Sequence, residues 1–350
     1  MTLAPTDAAS RRVVFHRFGG PEVLEIEHRA VPRPAAGEVL VRVAAAGVNP
    51  VDWKLFSGEP MHDPYERSLP SGNGYDFSGT IEAVGDDVTG WRTGEEVFGG
   101  LRYHAQADHL VIDPALLVRV PEGLPLVVAG ALNVVGRTAV ASVESQRIGA
   151  GDVVLVSGAA GGVGILTAQL CVLRGARVIG TAGPRNHALL RRLGVHPLAY
   201  GDDLADAVRA AAPGGITAVL DTVGHGTVDL ALAMGVPADR INTVADYEAR
   251  SRHPVRGIGG AKAGARELTM VAQLIADGSV ELPIDSVHPL EDVRIAYARS
   301  IAGHASGKIV ISLTPSVGIT PTGEFAAPQR VTSAGSATPF RASTTGASSG

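Results

Sequence analysis

The sequence predicts a two-part α/β chain in which a mostly β N-terminal unit leads into a doubly wound parallel sheet. Two observations carry this. Up to about residue 125, short alternating apolar runs are separated by turn signals such as Gly85-Asp86-Asp87. Beyond Pro125 the pattern becomes strand–helix pairs joined by short loops. The bulk composition agrees: 350 residues are enough for two cores, 45% are hydrophobic, only 4% are aromatic and 44 are glycine.

Residues 11–30 read as two short strands about a turn at Gly19-Gly20-Pro21, and Glu38–Val43 alternates as a strand should. Gly79–Val84 and His109–Ile112 are further β runs. Residues 126–148 read as one helix weakened by Gly130 and Gly136. Val153–Val156 is an unbroken apolar run, the pattern of a strand buried on both faces. A helix from Gly162 to Arg174 follows, then strand Arg177–Thr181, helix 185–193, strand Pro197–Tyr200 and helix 203–212. Strand Ile216–Asp221, helix 226–234 and strand Arg240–Thr243 complete this run. Residues 265–313 read as helix Ala265–Asp277, strand Ile284–Val287, helix Leu290–Ala302 and strand Lys308–Leu313. Residues 314–350, rich in Ser, Thr, Gly, Ala and Pro without apolar periodicity, are expected to be disordered.

Charge and cysteine narrow the function. The net charge is −5 and basic residues form no block, which argues against a nucleic-acid partner. The one cysteine, Cys171, excludes an internal disulfide and a Cys-rich metal site, and its apolar surroundings mark it as a core thiol. No apolar run of ~18 residues predicts a membrane helix and no secretory signal is read at the N-terminus, so a cytoplasmic protein is expected.

The informative motif is Ser157-Gly158-Ala159-Ala160-Gly161-Gly162-Val163-Gly164, placed between a buried strand and a helix. Positions 159, 161 and 164 have the spacing of a dinucleotide fingerprint with alanine first. Bare backbone at Gly161 and Gly162 admits a pyrophosphate, Gly164 lets helix pack on strand, and the helix N-terminus offers free N–H groups to phosphate. An NAD site usually carries an acid about 20 residues on, at the end of the next strand, for the ribose hydroxyls. Here that strand ends at Thr181 without one, and Arg185 and Asn186 follow. An arginine there can neutralise a 2′-phosphate, so NADPH is the expected cofactor.

The chain resembles the medium-chain dehydrogenase/reductase superfamily in its quinone oxidoreductase (zeta-crystallin-like) branch. The resemblance spans about residues 11–313. It rests on Phe18–Leu24, Gly47-Val48-Asn49-Pro50-Val51-Asp52-Trp53-Lys54, Gly74-Tyr75-Asp76-Phe77-Ser78-Gly79, the fingerprint, Gly180-Thr181-Ala182 and Gly307-Lys308-Ile309-Val310. It implies a GroES-like substrate domain, residues 1–125 with a return at 265–313, and a Rossmann NADP-binding domain at 126–264. A cleft between them would hold the active site, and a homodimer is implied.

The zinc ligands of the metal-dependent branch would fall at Asn49, Tyr75 and near Val134, so no metal is expected. What remains is NADPH-dependent reduction of a quinone or an α,β-unsaturated carbonyl, with a tailoring enoyl reductase of a polyketide-like pathway, or a non-catalytic NADPH-binding redox sensor, as alternatives. By the resemblance Asn49 lies beside nicotinamide and substrate, where its amide can donate to a developing oxyanion. Thr138 approaches the carboxamide, Tyr200 and Arg185 flank the 2′-phosphate, and Gly307-Lys308 covers the cofactor. The tyrosine that many relatives carry after the Asn-Pro-Val-Asp segment is missing here. Lys54 and Tyr75 are the candidates to replace it, with a solvated role the alternative for Lys54. The usual phosphate-binding serine is Gly183. His104 faces the pocket or the surface, and Asp221–Gly224 is expected to line the nicotinamide side.

Overall fold

The structure is a computed structural model and describes residues 9–58 and 68–314. The N-terminal unit contains β1 (Ala9–Phe15), β2 (Glu25–Ala30), β3 (Val39–Val48), α1 (Pro50–Phe56), β4 (Ser71–Gly72), β5 (Asp76–Val84), β6 (Glu96–Gly100), β7 (His109–Ile112) and β8 (Leu117–Arg119). Then come α2 (Leu126–Ala129), α3 (Asn133–Ser145), β9 (Val153–Val156), α4 (Gly162–Leu173), β10 (Arg177–Thr181), α5 (His187–Arg192), β11 (His196–Leu198), α6 (Leu204–Ala211), β12 (Ala218–Asp221), α7 (Thr227–Ala233), β13 (Ile241–Thr243) and α8 (Tyr247–Arg252). The described chain closes with α9 (Ala265–Ala276), β14 (Ile284–Pro289), α10 (Val293–Ile301) and β15 (Lys308–Ser312).

Three sheets form. The parallel one has the order β11-β10-β9-β12-β13. The chain builds outward from β9 through β10 to β11, then returns to the other side of β9 at β12. The C-terminal ends of β9 and β12 therefore flank a switch point, the crevice where open α/β sheets bind ligands. A larger sheet runs β14-β15-β3-β5-β6-β8, with β7 also on β3, and β2-β1-β4 form a third. Strand β15 reaches the larger sheet antiparallel to β3, with Ile309 opposite Val48. This brings residues separated by more than half the chain to one edge of the crevice.

The sheets share packing. One continuous apolar cluster joins Val154 and Val156 of the parallel sheet, through α3, α4 and α9, to Ala45, Phe98, Val118 and Val310 of the larger one. Helix α4 is apolar on nearly every face and is buried from Gly164 to Cys171, as an all-round hydrophobic helix must be.

The differences from the sequence reading are local. The helix expected over 126–148 is split, and its restart at Asn133 has a structural use described below. Residues 50–56 form a helix that was not anticipated. Pro50 stands at its first position, where a missing N–H costs nothing. Helix α8 lies in the stretch between Thr243 and Ala265, for which the sequence reading names no element. Within that stretch Arg256 pairs with Asn242 beside β13, and the Asn242 amide holds both the N–H and the C=O of Ile258. Apart from Thr314, the tail expected at 314–350 lies outside the described residues.

Candidate active site

The nucleotide-type turn is built by β9, the residues after it and the first turn of α4. Gly158 has φ +60°, a left-handed conformation open to glycine. Its N–H donates to Thr181 Oγ1 at 3.1 Å and the Ala159 N–H donates to Thr181 O at 2.9 Å, so β10 fixes the turn from one side. From the other side Ser157 Oγ donates to Asp221 Oδ1 at 2.5 Å, and Thr222 Oγ1 donates to Ser157 O at 2.7 Å. Asp221 also accepts from the Gly224 N–H and Thr243 Oγ1. With all of these donors around it and 1% of its surface exposed, Asp221 braces the switch point. A side-chain carbon on Gly164 would lie 2.2 Å from Gly158 O, so helix and turn meet here through bare backbone. The N–H groups at the start of α4 have no acceptor within the helix, and Ala160, Gly161, Gly162 and Val163 leave their approach free of polar side chains.

At the end of β10 Thr181 is buried, while Arg185 beyond it is exposed, its guanidinium donating to the carbonyl of His304. Tyr200 is 64% exposed, and its hydroxyl lies near Gly183, 3.6 Å from where a side-chain carbon there would stand. Asn186 Oδ1 accepts from Ser306 Oγ at 2.7 Å. The structure thus gathers Arg185, Asn186, Tyr200 and Gly183 at one rim. Thr138, on α3, faces Gly260, where an added side-chain carbon would lie 3.0 Å from its Oγ1.

Across from the turn lies a buried polar cluster. Asn49 precedes α1 with its backbone extended, and its N–H donates to Asp52 Oδ2 at 2.8 Å. Its side chain turns inward instead. Nδ2 donates to Asp76 Oδ2 at 3.0 Å, and Oδ1 accepts from Lys308 Nζ at 2.5 Å. Asp76 Oδ1 accepts from the Val134 N–H at 2.9 Å and from Asn133 Nδ2 at 3.2 Å. The split between α2 and α3 thus presents a helix N-terminus to this carboxylate, a favourable electrostatic position. Lys308 Nζ also donates to Val48 O at 2.9 Å and stands 3.6 Å from Asp76 Oδ2. Asn49, Asp52, Asp76 and Lys308 are each at most 3% exposed.

Burial pushes the Asp52 carboxyl up to about 7, with the charge of Asp76 adding to the rise. Burial likewise draws the Lys308 ammonium below its ordinary range, opposed by Asp76 and Asp52. Behind Asp52, Tyr297 donates its hydroxyl to Oδ2 at 3.1 Å and accepts from Asn73 and Gln106. Burial holds that phenol well above its usual range.

Lys308 was expected beside the cofactor, and its two parts now separate. The preceding residue, Gly307, donates its N–H to Ala160 O at 2.8 Å and bridges Gly161, so the backbone meets the nucleotide-type turn. The ammonium is committed to Val48 and Asn49. The two donor candidates sit apart from this cluster's bonds. Lys54 Nζ lies 5.7 Å from the centre of the Trp53 ring, and the Tyr75 hydroxyl accepts from Arg102 at 3.3 Å. Sequence reasoning missed Asp52, Asp76, Asn133 and Tyr297. The Asn49–Asp52 spacing, an acid three residues past a helix cap, was an available signal.

Comparison with known proteins gives this geometry a family. The family model described as "Alcohol dehydrogenase GroES-like domain" matches residues 35–113, and the one described as "Zinc-binding dehydrogenase" matches residues 193–311. The chain is 30% identical over 318 residues to the chloroplast envelope quinone oxidoreductase homolog of Arabidopsis thaliana, covering 84% of this chain and 95% of that protein. The chain belongs to the medium-chain dehydrogenase/reductase superfamily, in its quinone oxidoreductase branch. As a member of that branch it combines a GroES-like domain with a Rossmann-like parallel sheet, and it is an oxidoreductase. Among solved structures, the superfamily fold matches the quinone oxidoreductase from Coxiella burnetii with a TM-score of 0.79 at 27% identity, over 88% of this chain and 100% of that one. It also matches a mycobacterial protein solved as a complex with NADPH, with a TM-score of 0.74 at 27% identity, over 86% and 99% of the two chains.

Proposed function

We propose that this oxidoreductase uses NADPH to reduce a quinone or an α,β-unsaturated carbonyl without a metal. The observation that carries the reading is the Asn49 amide. One of its N–H groups is spent on Asp76, its oxygen is held by Lys308, and its second N–H has no partner among the described residues. A buried, fixed donor of this kind is suited to an oxygen on which negative charge develops.

The residues fit a phosphorylated dinucleotide. The turn Gly158–Gly164 would hold the pyrophosphate, Thr138 would meet the carboxamide, and Thr181, Arg185, Asn186 and Tyr200 would surround the adenosine end. The absence of an acid at the end of β10, with Arg185 just beyond it, supports NADPH over NADH. When bound, the reduced nicotinamide supplies the hydride. Residues 126–264 are the cofactor-binding unit, and residues 1–125 with 265–313 shape the acceptor side.

The same residues do not fit a catalytic zinc. Asn49 Oδ1 already accepts from an ammonium, the Tyr75 hydroxyl accepts from Arg102, and Val134 has no donor side chain. Zinc sites draw on thiolate, imidazole or carboxylate. The two carboxylates present are committed: Asp76 accepts from three donors and faces Lys308, and Asp52 accepts from the Asn49 N–H and the Tyr297 hydroxyl. A conjugated acceptor spreads its charge onto oxygen, where one oriented donor suffices.

The test is NADPH oxidation with benzoquinone, phenanthrenequinone and a panel of small enones. Turnover with at least one of these acceptors is expected, and metal chelation should leave it unchanged. Saturable NADPH binding with no turnover on any acceptor would overturn the proposal in favour of a redox sensor.

A further inference from the structure

We propose that Lys308 is a positioning residue that sets the direction of the Asn49 amide, and that with Gly307 it ties this donor to the nucleotide-binding turn. The inference rests on the function proposed above, in which Asn49 is the donor to the acceptor oxygen.

An asparagine amide has a donor end and an acceptor end, and a structure fixes which is which only through its partners. Here the partners decide. An ammonium has only hydrogens to give, so the atom facing Lys308 Nζ at 2.5 Å must be the amide oxygen. A carboxylate can only accept, so the atom facing Asp76 Oδ2 at 3.0 Å must be the nitrogen. Rotating the amide by half a turn would set nitrogen against ammonium and oxygen against carboxylate, losing two charge-assisted bonds at a buried site. The free N–H therefore has one direction. The cation on Oδ1 and the anion on one N–H act on the same amide from opposite ends, and the cation draws electron density from the remaining N–H, making it a stronger donor.

The lysine does not serve the substrate itself. Its ammonium bonds the carbonyl of Val48 and Asn49, with Asp76 at 3.6 Å as its third neighbour. Its stem passes the turn: a side-chain carbon on Gly162 would lie 2.9 Å from Lys308 Cδ. The preceding residue is hydrogen-bonded to Ala160. One strand end thus touches the turn with its backbone and holds the donor with its side chain.

The experiment is a double-variant cycle with Lys308→Met and Asn49→Ala. Lys308→Met keeps an apolar stem against Gly162 and removes the ammonium. It should lower kcat about 10- to 100-fold, with the Kd for NADPH, read by fluorescence titration, changed less than about threefold. In the Asn49→Ala background the same change should cost almost nothing further, because a residue acting through Asn49 has nothing left to act on. Full additivity, or a loss confined to NADPH affinity, would overturn the proposal. Lys308→Gln keeps a neutral N–H donor and should recover part of kcat. If the Met variant does not fold, the Gln variant takes its place in the cycle.

If the wild-type enzyme turns over no acceptor, the proposed function fails but this inference is still tested. The side-chain amide protons of Asn49, assigned by their loss in Asn49→Ala, should shift by several tenths of a ppm in both Lys308 variants. Unchanged resonances would refute the role of Lys308 whatever the reaction.

Discussion

Asp52 should make the fold less stable as pH rises through neutrality, and the structure gives the size of the effect. Burial places its carboxyl at about 7 against an ordinary value of 3.8. Both of its donors, the Asn49 N–H and the Tyr297 hydroxyl, reach the same oxygen, Oδ2, so a proton on Oδ1 disturbs neither. Because the folded value is the higher one, the folded state holds a proton that the unfolded chain releases. The contribution is complete below pH ~4 and is lost as pH climbs to about 7. The whole shift corresponds to about 4 kcal/mol, and most of it, roughly 2 to 3 kcal/mol, falls between pH 5 and pH 8. Asp52→Asn keeps an acceptor oxygen for both donors and removes the titration. Urea unfolding of both proteins across that range should show wild type losing roughly 2 to 3 kcal/mol relative to the variant. Parallel curves would refute the reasoning, and so would a wild type that gains on the variant as pH rises.

Three further outcomes follow from the site. Arg185→Ala should weaken NADPH binding about 10- to 100-fold and leave NADH within about threefold, measured by titration of both; equal losses would remove the basis for the cofactor assignment. Gly164→Ala places a carbon 2.2 Å from the backbone of Gly158, and should destabilise by about 3 kcal/mol and reduce NADPH binding, read by denaturation and by titration. Cys171, its thiol pushed by burial to about 12, should stay unmodified by a thiol reagent in the folded protein and react only on denaturation.

The strand–turn–helix that would take the cofactor was legible because its requirements are local. A phosphate turn needs small residues between a strand and a helix, and Ser157–Gly164 shows them consecutively. The acceptor side was legible only at Asn49, through the resemblance. The cluster around it draws on residues at 52, 73–76, 106, 133–134, 297 and 308, with Asn73 and Tyr297 lying 224 residues apart in the chain, and no periodicity encodes that meeting. Helix α1 escaped for another reason: seven residues are too few to display a 3.6-residue period.

Lys308 shows why the two sides of the site are joined rather than merely adjacent. Neighbouring residues at a strand end differ in what they present, since side chains alternate between faces while the backbone bonds laterally. The pair Gly307-Lys308 reads in the sequence as one unit, and the fold uses it twice. Glycine at 307 is required because its φ is +85° and a side chain there would meet the Pro283 carbonyl at 2.1 Å. That bare residue lets the backbone reach Ala160, and β15 then carries the lysine inward to Asn49. A shift of the turn that moved Gly307 would therefore move the ammonium held on Asn49. On the function proposed above, cofactor seating and donor alignment would share one mechanical element.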